Sequence, residues 1–569
     1  MKRLIWSYPP ILLFVWACIH LMGDLEYYEN SGKHLGYEGW VFLNKDLGTL
    51  AISFLKEHYI LFPTIILSLL SICISTYFWI RKNVLSQEIP KDWSWKKAGY
   101  LLAILLLCGI AIRGGFQKTM LRPSHSHLSN DTHFNNLVLN GIFTFFYEFN
   151  GGAIPKSQKL PLLKSISLVQ NTLESLNIEF TNKAYPVLQK FKTPTRAVQK
   201  PNIVIILLES WSAKFTAPNS HQFVDGVEVA PYFNSLRKKS LSFNRGFATG
   251  GRTTNGLLAT IVSSPDLPGT SIIHKASFST GSIAVLLKKL GYKTHFITGS
   301  DLEFENMGTH VRNWGFDEIA DKTSLERSGK YKSGIWGIDD QDSFNYLKEK
   351  LMTPTNVPNL FVYISISTHY PYKVPDPKWE VFTPKTKDFE YLNTYHYADA
   401  SLGEFFQNVE GTEIGKNTLF IVLADHTHHR DLDFYEDRHI PILFHWEKKI
   451  PPQESNKIVS QLDILPSILD LIGYEKEFSS FGSSVFETKE RGKYFSFGNL
   501  YGWIQDPYFY FQDSTSDAKG FLLPFPNTKF PSVDCKNENP ICLPFLEYSK
   551  AYRNLSTELY SKNFLFPLQ

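Results

Sequence analysis

Residues 202–210, NIVIILLES, set six consecutive branched apolar side chains before a glutamate and a serine. A run this short, unbroken rather than alternating, predicts a strand covered on both faces, as in a largely parallel sheet between helical layers. Four further runs have the same character: THFIT (294–298), LFVYISI (360–366), TLFIVLA (418–424) and IPILFHW (440–446). Helical spacing falls between them at 281–291, 398–409 and 459–473. Strands alternating with helices predict an α/β domain beginning at residue 201.

Upstream of that domain the character of the chain changes. Residues 4–23 and 59–80 are apolar runs long enough for a hydrocarbon core that needs roughly 20 helical residues. A third run, 98–112, is shorter and requires flanking side chains to snorkel, or else is a buried amphipathic helix. A short run at 47–55 is placed at the interface. Lys2 and Arg3 precede the first run, the 24–46 connection is mostly acidic, and the 81–97 connection carries Arg81, Lys82, Lys91, Lys96 and Lys97. Basic segments stay cytoplasmic, so three spans place everything after residue 113 outside the cytoplasm, facing a periplasm or the exterior. A cleaved signal peptide over 1–23 is the alternative, but no small-residue cleavage site follows it. The expected organisation is a transmembrane anchor (1–113), a juxtamembrane helical connector (114–200) and an extracytoplasmic catalytic domain (201–569).

Composition removes one class of function. A net charge of +3 over 569 residues is no nucleic-acid footprint. Of five cysteines, Cys18, Cys73 and Cys108 lie in the apolar runs, while Cys535 and Cys542 close a short polar loop that an oxidising compartment could bridge.

The strand ends carry the chemistry. NIVIILL runs into Glu209-Ser210, LFVYISI into Ser367-Thr368-His369, and TLFIVLA into Asp425-His426. Ligands collect at the carboxyl ends of strands in open α/β sheets, and a buried carboxylate without a partner is costly. Any one of these ends could be a helix cap; two carboxylates and an imidazole together suit a divalent cation such as Mn²⁺, Zn²⁺ or Mg²⁺. The reacting group is sought in TGGRTTNG (249–256), where a hydroxyl would open the helix NGLLATIVS and lie in its positive end. Residue chemistry alone does not choose between Thr253 and Thr254.

NIVIILLES, GRTTNG, STHYPY, LADH and QLDILPSILDLIG stand in an order and spacing that resembles the sulfatase/alkaline-phosphatase superfamily, over about residues 200–490. Within it the chain resembles the membrane-anchored lipoteichoic acid synthase branch, which includes the phosphoglycerol transferases. RGGFQKTMLRP, after the third run, looks like that branch's connector. The resemblance implies an alkaline phosphatase/sulfatase-like mixed sheet flanked by helices behind an N-terminal transmembrane region. It implies a threonine that attacks a lipid phosphodiester and becomes phosphorylated, with one Mn²⁺-like ion. Carried over, the metal ligands are Glu209, Thr253, Asp425 and His426, and Thr253 is the nucleophile because it directly follows Gly251-Arg252. His369 would bind phosphate or handle the leaving-group proton, and Arg252 would contact phosphate or remain a turn residue. The implied partners are a phospholipid donor carrying glycerol or ethanolamine and a glycan or lipid-linked acceptor.

Departures from the family shape the alternatives. GGRTTNG lacks the cysteine and proline of a formylglycine segment, which weighs against a hydrolase of sulfate or phosphate esters on this scaffold. Glu209 is followed by Ser210 rather than by a second acid, which favours a single metal. Thr298 stands where a lipoteichoic acid synthase is expected to present a further histidine, leaving the headgroup open; His295 is assigned to the strand's other face. A catalytically silent anchor would have lost a ligand position, and all four are present. His428, His429 and His439 are expected to be surface or supporting side chains, His439 being the best placed, and Asp339, Asp340 and Asp342 to start a helix.

Overall fold

The computed structural model describes residues 8–31, 34–35, 61–83, 95–113, 137, 140–149, 160–175, 177–193, 200–218, 220–267, 281–302, 307–513, 520–535, 539–562 and 565–567. The chain divides into two compact units, Met1–Asn150 and Gly151–Gln569. The run at 47–55, the connector motif beyond residue 113 and most of the 81–97 loop lie outside the described residues.

In the first unit, helices form at each of the three apolar runs: α1 (Tyr8–Ser31), α2 (Leu61–Asn83) and α3 (Trp95–Arg113). Among the described residues one stretch, Ile11–Glu29, is both long and apolar enough to cross a membrane; Leu67–Trp79 and Ala98–Ile110 are shorter apolar helices. α1 packs on α4 (Gly141–Phe149) through Trp16, His20 and Phe145. Asp24 does not stay an unpaired charge in that apolar helix. It accepts the Leu35 N–H at 2.7 Å and pairs with His34 at 2.7 Å.

The second unit is built on a mixed eight-stranded sheet. Its strands are β1 (Asn202–Leu208), β2 (Leu241–Phe247), β3 (Lys293–Thr298), β4 (Glu318–Ala320), β5 (Asn359–Ile364), β6 (Thr418–Ala424), β7 (Ile442–His445) and β8 (Gln453–Ser460), in the spatial order β8-β2-β7-β6-β1-β5-β3-β4. Every neighbouring pair is parallel except the two made by β7, which alone runs the other way. The central strands are dry on both faces: Ile203 through Leu208 and Leu419 through Ala424 are buried throughout, which accounts for their unbroken apolar sequence. The parallel register sets Leu208 beside Ala424, so Glu209 and Asp425 leave the sheet side by side.

α5 (Leu162–Leu173) meets the C-terminal helix, Thr172 bonding Tyr552 at 2.7 Å, and further helices include α6 (Thr253–Val262), α7 (Asp340–Met352), α8 (Phe389–Val409) and α9 (Ile464–Leu471). α8 begins well before the expected residue 398, whereas the expected helix 459–473 is divided: Val459 and Ser460 end β8, a 3₁₀ turn spans Gln461–Asp463, and α9 follows. A second, antiparallel sheet of five strands comes after residue 490: β9 (Lys493–Phe497), β10 (Leu500–Gln505), β11 (Tyr508–Asp513), β12 (Phe521–Pro524) and β13 (Val533–Asp534). Its aromatic face packs on Phe247 and Phe434, and α10 (Leu543–Lys562) lies against it through Tyr552 and Trp503. Cys535 and Cys542 are joined in a disulfide, and Cys18, Cys73 and Cys108 are free.

Candidate metal and nucleophile site

The ends of β1, β2 and β6 converge on one point. Glu209, Asp425 and His426 are buried, and one ligand atom from each lies within 4.8 Å of the others. His426 Nε2 is 3.4 Å from Glu209 Oε1 and 3.5 Å from Asp425 Oδ2. Its Nδ1 faces the Thr427 carbonyl at 2.6 Å. A carbonyl only accepts, so Nδ1 carries the proton and Nε2 is the atom turned to the carboxylates.

Local backbone aims these groups. Ser210 adopts φ 58°, a left-handed conformation that costs a serine on the order of 1 kcal/mol and is met at functional sites. The turn lets the Ser210 N–H donate to Asp425 Oδ1 at 2.8 Å while its hydroxyl donates to Glu209 Oε1 at 2.7 Å. The His426 N–H donates to the same Asp425 oxygen at 2.7 Å. On the other side of Glu209, its N–H donates to Ser365 Oγ at 2.8 Å, and the Thr368 hydroxyl donates to its carbonyl.

Of the two threonines in TGGRTTNG, Thr253 donates its hydroxyl to Glu209 Oε2 at 3.1 Å. Thr253 is the first residue of α6, with Arg252 at the N-cap, so its oxygen lies in the positive end of the helix dipole. The glycines of this turn serve close packing. A Cβ on Gly251 would overlap the Phe497 ring, and one on Gly250 would overlap Asn255. Gly256, one turn into α6, sits flush against the Asp425 backbone. A pocket opens beside this cluster, lined by Glu209, Thr253, Thr298, Ser300, Trp336 and His369. Thr298 therefore faces the site, while His295 points away to Glu318 and Asn359, as the strand alternation predicts.

Residues 201–474 match a protein-family model described as Sulfatase. Somewhat less than half of the chain is thus similar to the sulfatase family. It is 26% identical over 319 residues to lipoteichoic acid synthase of Staphylococcus aureus (strain USA300), covering 51% of this chain and 48% of that protein. The chain thus spans about half the length of the curated relatives it matches. Among solved structures, a protein in the alkaline phosphatase superfamily from Vibrio parahaemolyticus is similar with a TM-score of 0.62 and 23% identity, covering 72% of this chain and 99% of that one. The lipoteichoic acid synthase LtaP from Listeria monocytogenes has a TM-score of 0.57 and 19% identity, covering 71% and 99%. These two establish the fold: a mixed α/β sheet flanked by helices. Together the matches support an enzyme of this superfamily.

The electrostatics of this unit fit a cation at the cluster. Asp425 Oδ2 is buried and has no hydrogen-bond partner, an arrangement that is expensive unless a positive charge shares the space. Without a metal a proton takes that role. Burial opposes a charge on His426, but Asp425 and Glu209 outweigh it and raise the imidazole to about 10. Burial likewise opposes ionisation of Glu209, yet its hydrogen bond to His426 and the charges of His426 and His369 hold it well below the usual carboxylate range. Asp425 moves the other way, raised by burial and by Glu209 beside it. Two carboxylates and an imidazole suit Mn²⁺, Zn²⁺ or Mg²⁺. Glu209, Asp425, His426 and the Thr253 hydroxyl are the residues that would hold it.

The remaining sequence candidates divide. His369 lines the pocket, its ring 4.1 Å from that of Trp336. Arg252 is half-buried at the head of α6, and its carbonyl accepts the Gly256 N–H at 3.0 Å. His439, the favoured one of the later histidines, bonds the Asn244 carbonyl at 2.8 Å and packs on Phe247 and Tyr435, outside the cluster. His428 is stacked on Tyr391, and burial lowers it to about 3, so it is neutral. The histidine that matters is His429. It stacks on His426 with ring centres 5.1 Å apart, bonds Asp437 at 2.6 Å, and reaches the Gly251 carbonyl at 3.1 Å. Nothing in the spacing of DHTHH distinguishes it from His428; only the left-handed turn at His429 (φ 63°) brings it beneath the nucleophile turn. Asp340 does begin α7 as expected, but its carboxylate reaches across to accept the Ile366 N–H at 2.8 Å, tying down the loop that carries His369.

Proposed function

We propose that this protein is a membrane-anchored, metal-dependent transferase that moves a phosphoglycerol or phosphoethanolamine headgroup from a phospholipid to a glycan or lipid-linked hydroxyl. The observation that carries the reading is the Thr253 hydroxyl bonded to Glu209 inside the Glu209/Asp425/His426 cluster, at the head of a helix. A divalent ion held there supplies the charge that lowers the pKa of a coordinated hydroxyl. The chain's own residues do the rest. α6 presents Thr253 Oγ with its helix dipole favouring the phosphate anion. Thr253 Oγ gives up its proton to water and forms a bond to phosphorus, the bond from phosphorus to the diacylglycerol oxygen breaks, and that oxygen takes a proton, with His369 at the pocket wall as its donor. In the second half-reaction an acceptor hydroxyl gives up its proton to His369 and attacks the phospho-threonine; the bond from phosphorus to Thr253 Oγ breaks, and Oγ regains a proton from water. The sum is one phosphodiester and one alcohol exchanged for another of each.

Residues 1–113 act in this reading as the anchor, 114–200 as the connector and 201–569 as the catalytic domain in the periplasm or exterior, at the height of lipid headgroups. The Cys535–Cys542 disulfide supports an oxidising compartment. Mn²⁺ is the ion proposed. A hydrolytic variant, with water as acceptor, is the second reading, and it is favoured by the match of residues 201–474 to the Sulfatase model.

The test is to incubate the purified protein with Mn²⁺ and headgroup-labelled phosphatidylglycerol or phosphatidylethanolamine, then map phosphorylated residues by mass spectrometry. Label on Thr253, lost in Thr253→Ala together with turnover, is the expected result. Label on Thr254, or lipid consumed with no threonine labelled, would overturn the mechanism. Release of free phosphorylated headgroup when hydroxyl acceptors are supplied would favour the hydrolase.

A further inference from the structure

The transferase reading needs Thr253 held in register with ligands that arrive from a different strand. Thr253 follows β2, whereas Asp425 and His426 follow β6, and β7 separates these two strands in the sheet. No backbone ladder therefore joins the nucleophile turn to the metal-ligand pair.

Side chains do: besides His429 beneath Gly251, a buried amide bridges the two directly. Gln461, the first residue of the 3₁₀ turn after β8, is wholly buried and uses both ends of its amide. Its Nε2 donates to the carbonyls of Ala424 at 2.9 Å and Asp425 at 2.6 Å, the residues on which β6 ends. Its Oε1 accepts the N–H of Thr249, the first residue of the nucleophile turn, at 2.9 Å. The amide orientation follows from chemistry: two carbonyls can be met only by the NH₂ and an N–H only by the oxygen. The opposite side of Thr249 is also held, since its carbonyl accepts the Ser496 N–H at 2.7 Å.

The mount of Gln461 is rigid in its own right. Asp463, two residues on, accepts the Ser460 N–H at 2.8 Å, the Ser483 N–H at 2.9 Å and the Lys493 ammonium at 2.7 Å. A buried amide with every group satisfied on a braced turn has one geometry available to it. The near contact of Gly256 with the Asp425 backbone means that a small slip of α6 is not absorbed by empty space.

We infer that Gln461 is a positioning residue: its amide fixes the distance between the Thr253 turn and the Asp425-His426 pair, and so sets the reactivity of Thr253 without touching substrate or metal. The inference rests on the transferase reading for its kinetic consequence but not for its structural one. Misplacing a reacting group by about 1 Å costs on the order of 10²-fold in rate.

Two variants test it. Gln461→Met keeps the volume and removes both hydrogen-bonding ends; Gln461→Glu keeps the acceptor and removes the donor. Two readouts are taken on the full-length protein: hydrogen exchange of the 249–256 segment, with the 360–369 segment as internal reference, and steady-state kinetics with Mn²⁺ and labelled lipid alongside the Mn²⁺ dissociation constant. Exchange in 249–256 is expected to rise at least about tenfold in Gln461→Met with the reference unchanged, because the Thr249 amide loses its acceptor. In both variants kcat is expected to fall about 10²-fold while KM and Mn²⁺ affinity stay within about threefold. Unchanged exchange in a folded Gln461→Met protein overturns the inference, as does a parallel loss of kcat and Mn²⁺ affinity, which would make Gln461 a general support of the site. A wild-type protein inactive on every lipid would overturn the transferase reading instead, leaving the exchange result to decide whether Gln461 positions the turn.

Discussion

Two buried aspartates at opposite kinds of structural joint show how this chain separates a ligand from a brace. Asp399, on α8, faces the start of the helix Pro231–Lys238 and gives one oxygen to each of two backbone N–H groups, Tyr232 and Phe233, both at 2.8 Å. Pro231 has no N–H to offer, so the carboxylate takes the next two donors of that helix and nothing of it is left over. Asp425 also receives two backbone N–H groups, but both land on Oδ1, and Oδ2 is buried without a hydrogen bond, with only His426 Nε2 3.5 Å away. A carboxylate saturated by its own backbone is structural. One held by a single oxygen is aimed at something the chain does not supply.

The largest effect that would sharpen this contrast is on metal binding. Asp425→Asn should weaken Mn²⁺ at least about 10²-fold by titration calorimetry, whereas Asp399→Asn should leave it within about twofold. Equal losses in the two variants would erase the distinction. Stability should show the reverse order. Asp399→Ala strands two buried N–H groups and should lower the unfolding free energy by about 2–4 kcal/mol in urea, while Asp425→Asn, without metal, relieves carboxylate crowding and should cost less. Next comes pH. His426, raised to about 10, is protonated in the metal-free site, and a cation must displace that proton. Mn²⁺ affinity should therefore climb by about tenfold per pH unit between pH 6 and 8, with roughly one proton released per ion bound. An affinity flat over that range would place the proton elsewhere. The smallest expected change is His429→Ala, which removes the prop beneath Gly251 and should reduce kcat by about tenfold or less with Mn²⁺ affinity retained.

How much of this was visible beforehand depended on how each residue advertises itself. β1 and β6 were legible because both faces are covered and nothing polar interrupts them. β2 was not: LSFNRGF breaks its apolar run with Asn244, Arg245 and Gly246. Their reasons lie in distant segments, since Arg245 pairs with Asp506 and a Cβ on Gly246 would overlap the Ile440 carbonyl and the Ile442 side chain. β8 hides similarly behind the polar QESN. Glu209, Asp425 and His426 could be picked out because charge at the end of a dry strand has few bland explanations. His429 and Gln461 could not, because both work through backbone carbonyls and N–H groups, and no spacing in the sequence marks which backbone group a side chain will meet. The two threonines are separated by the same kind of fact. Their hydroxyls are chemically alike, and it is the handedness of the first turn of α6 that sends one to Glu209.

The reversed strand β7 has a consequence for this site. The chain leaves the sheet at Asp425 and re-enters at Ile442 beside it, on the same rim. A crossover helix would have carried those residues to the far edge and scattered them. The whole excursion instead stays on that rim: Asp425, His426 and His429 lie at its outgoing root beside the nucleophile turn, and Phe434 further along it packs on the second sheet.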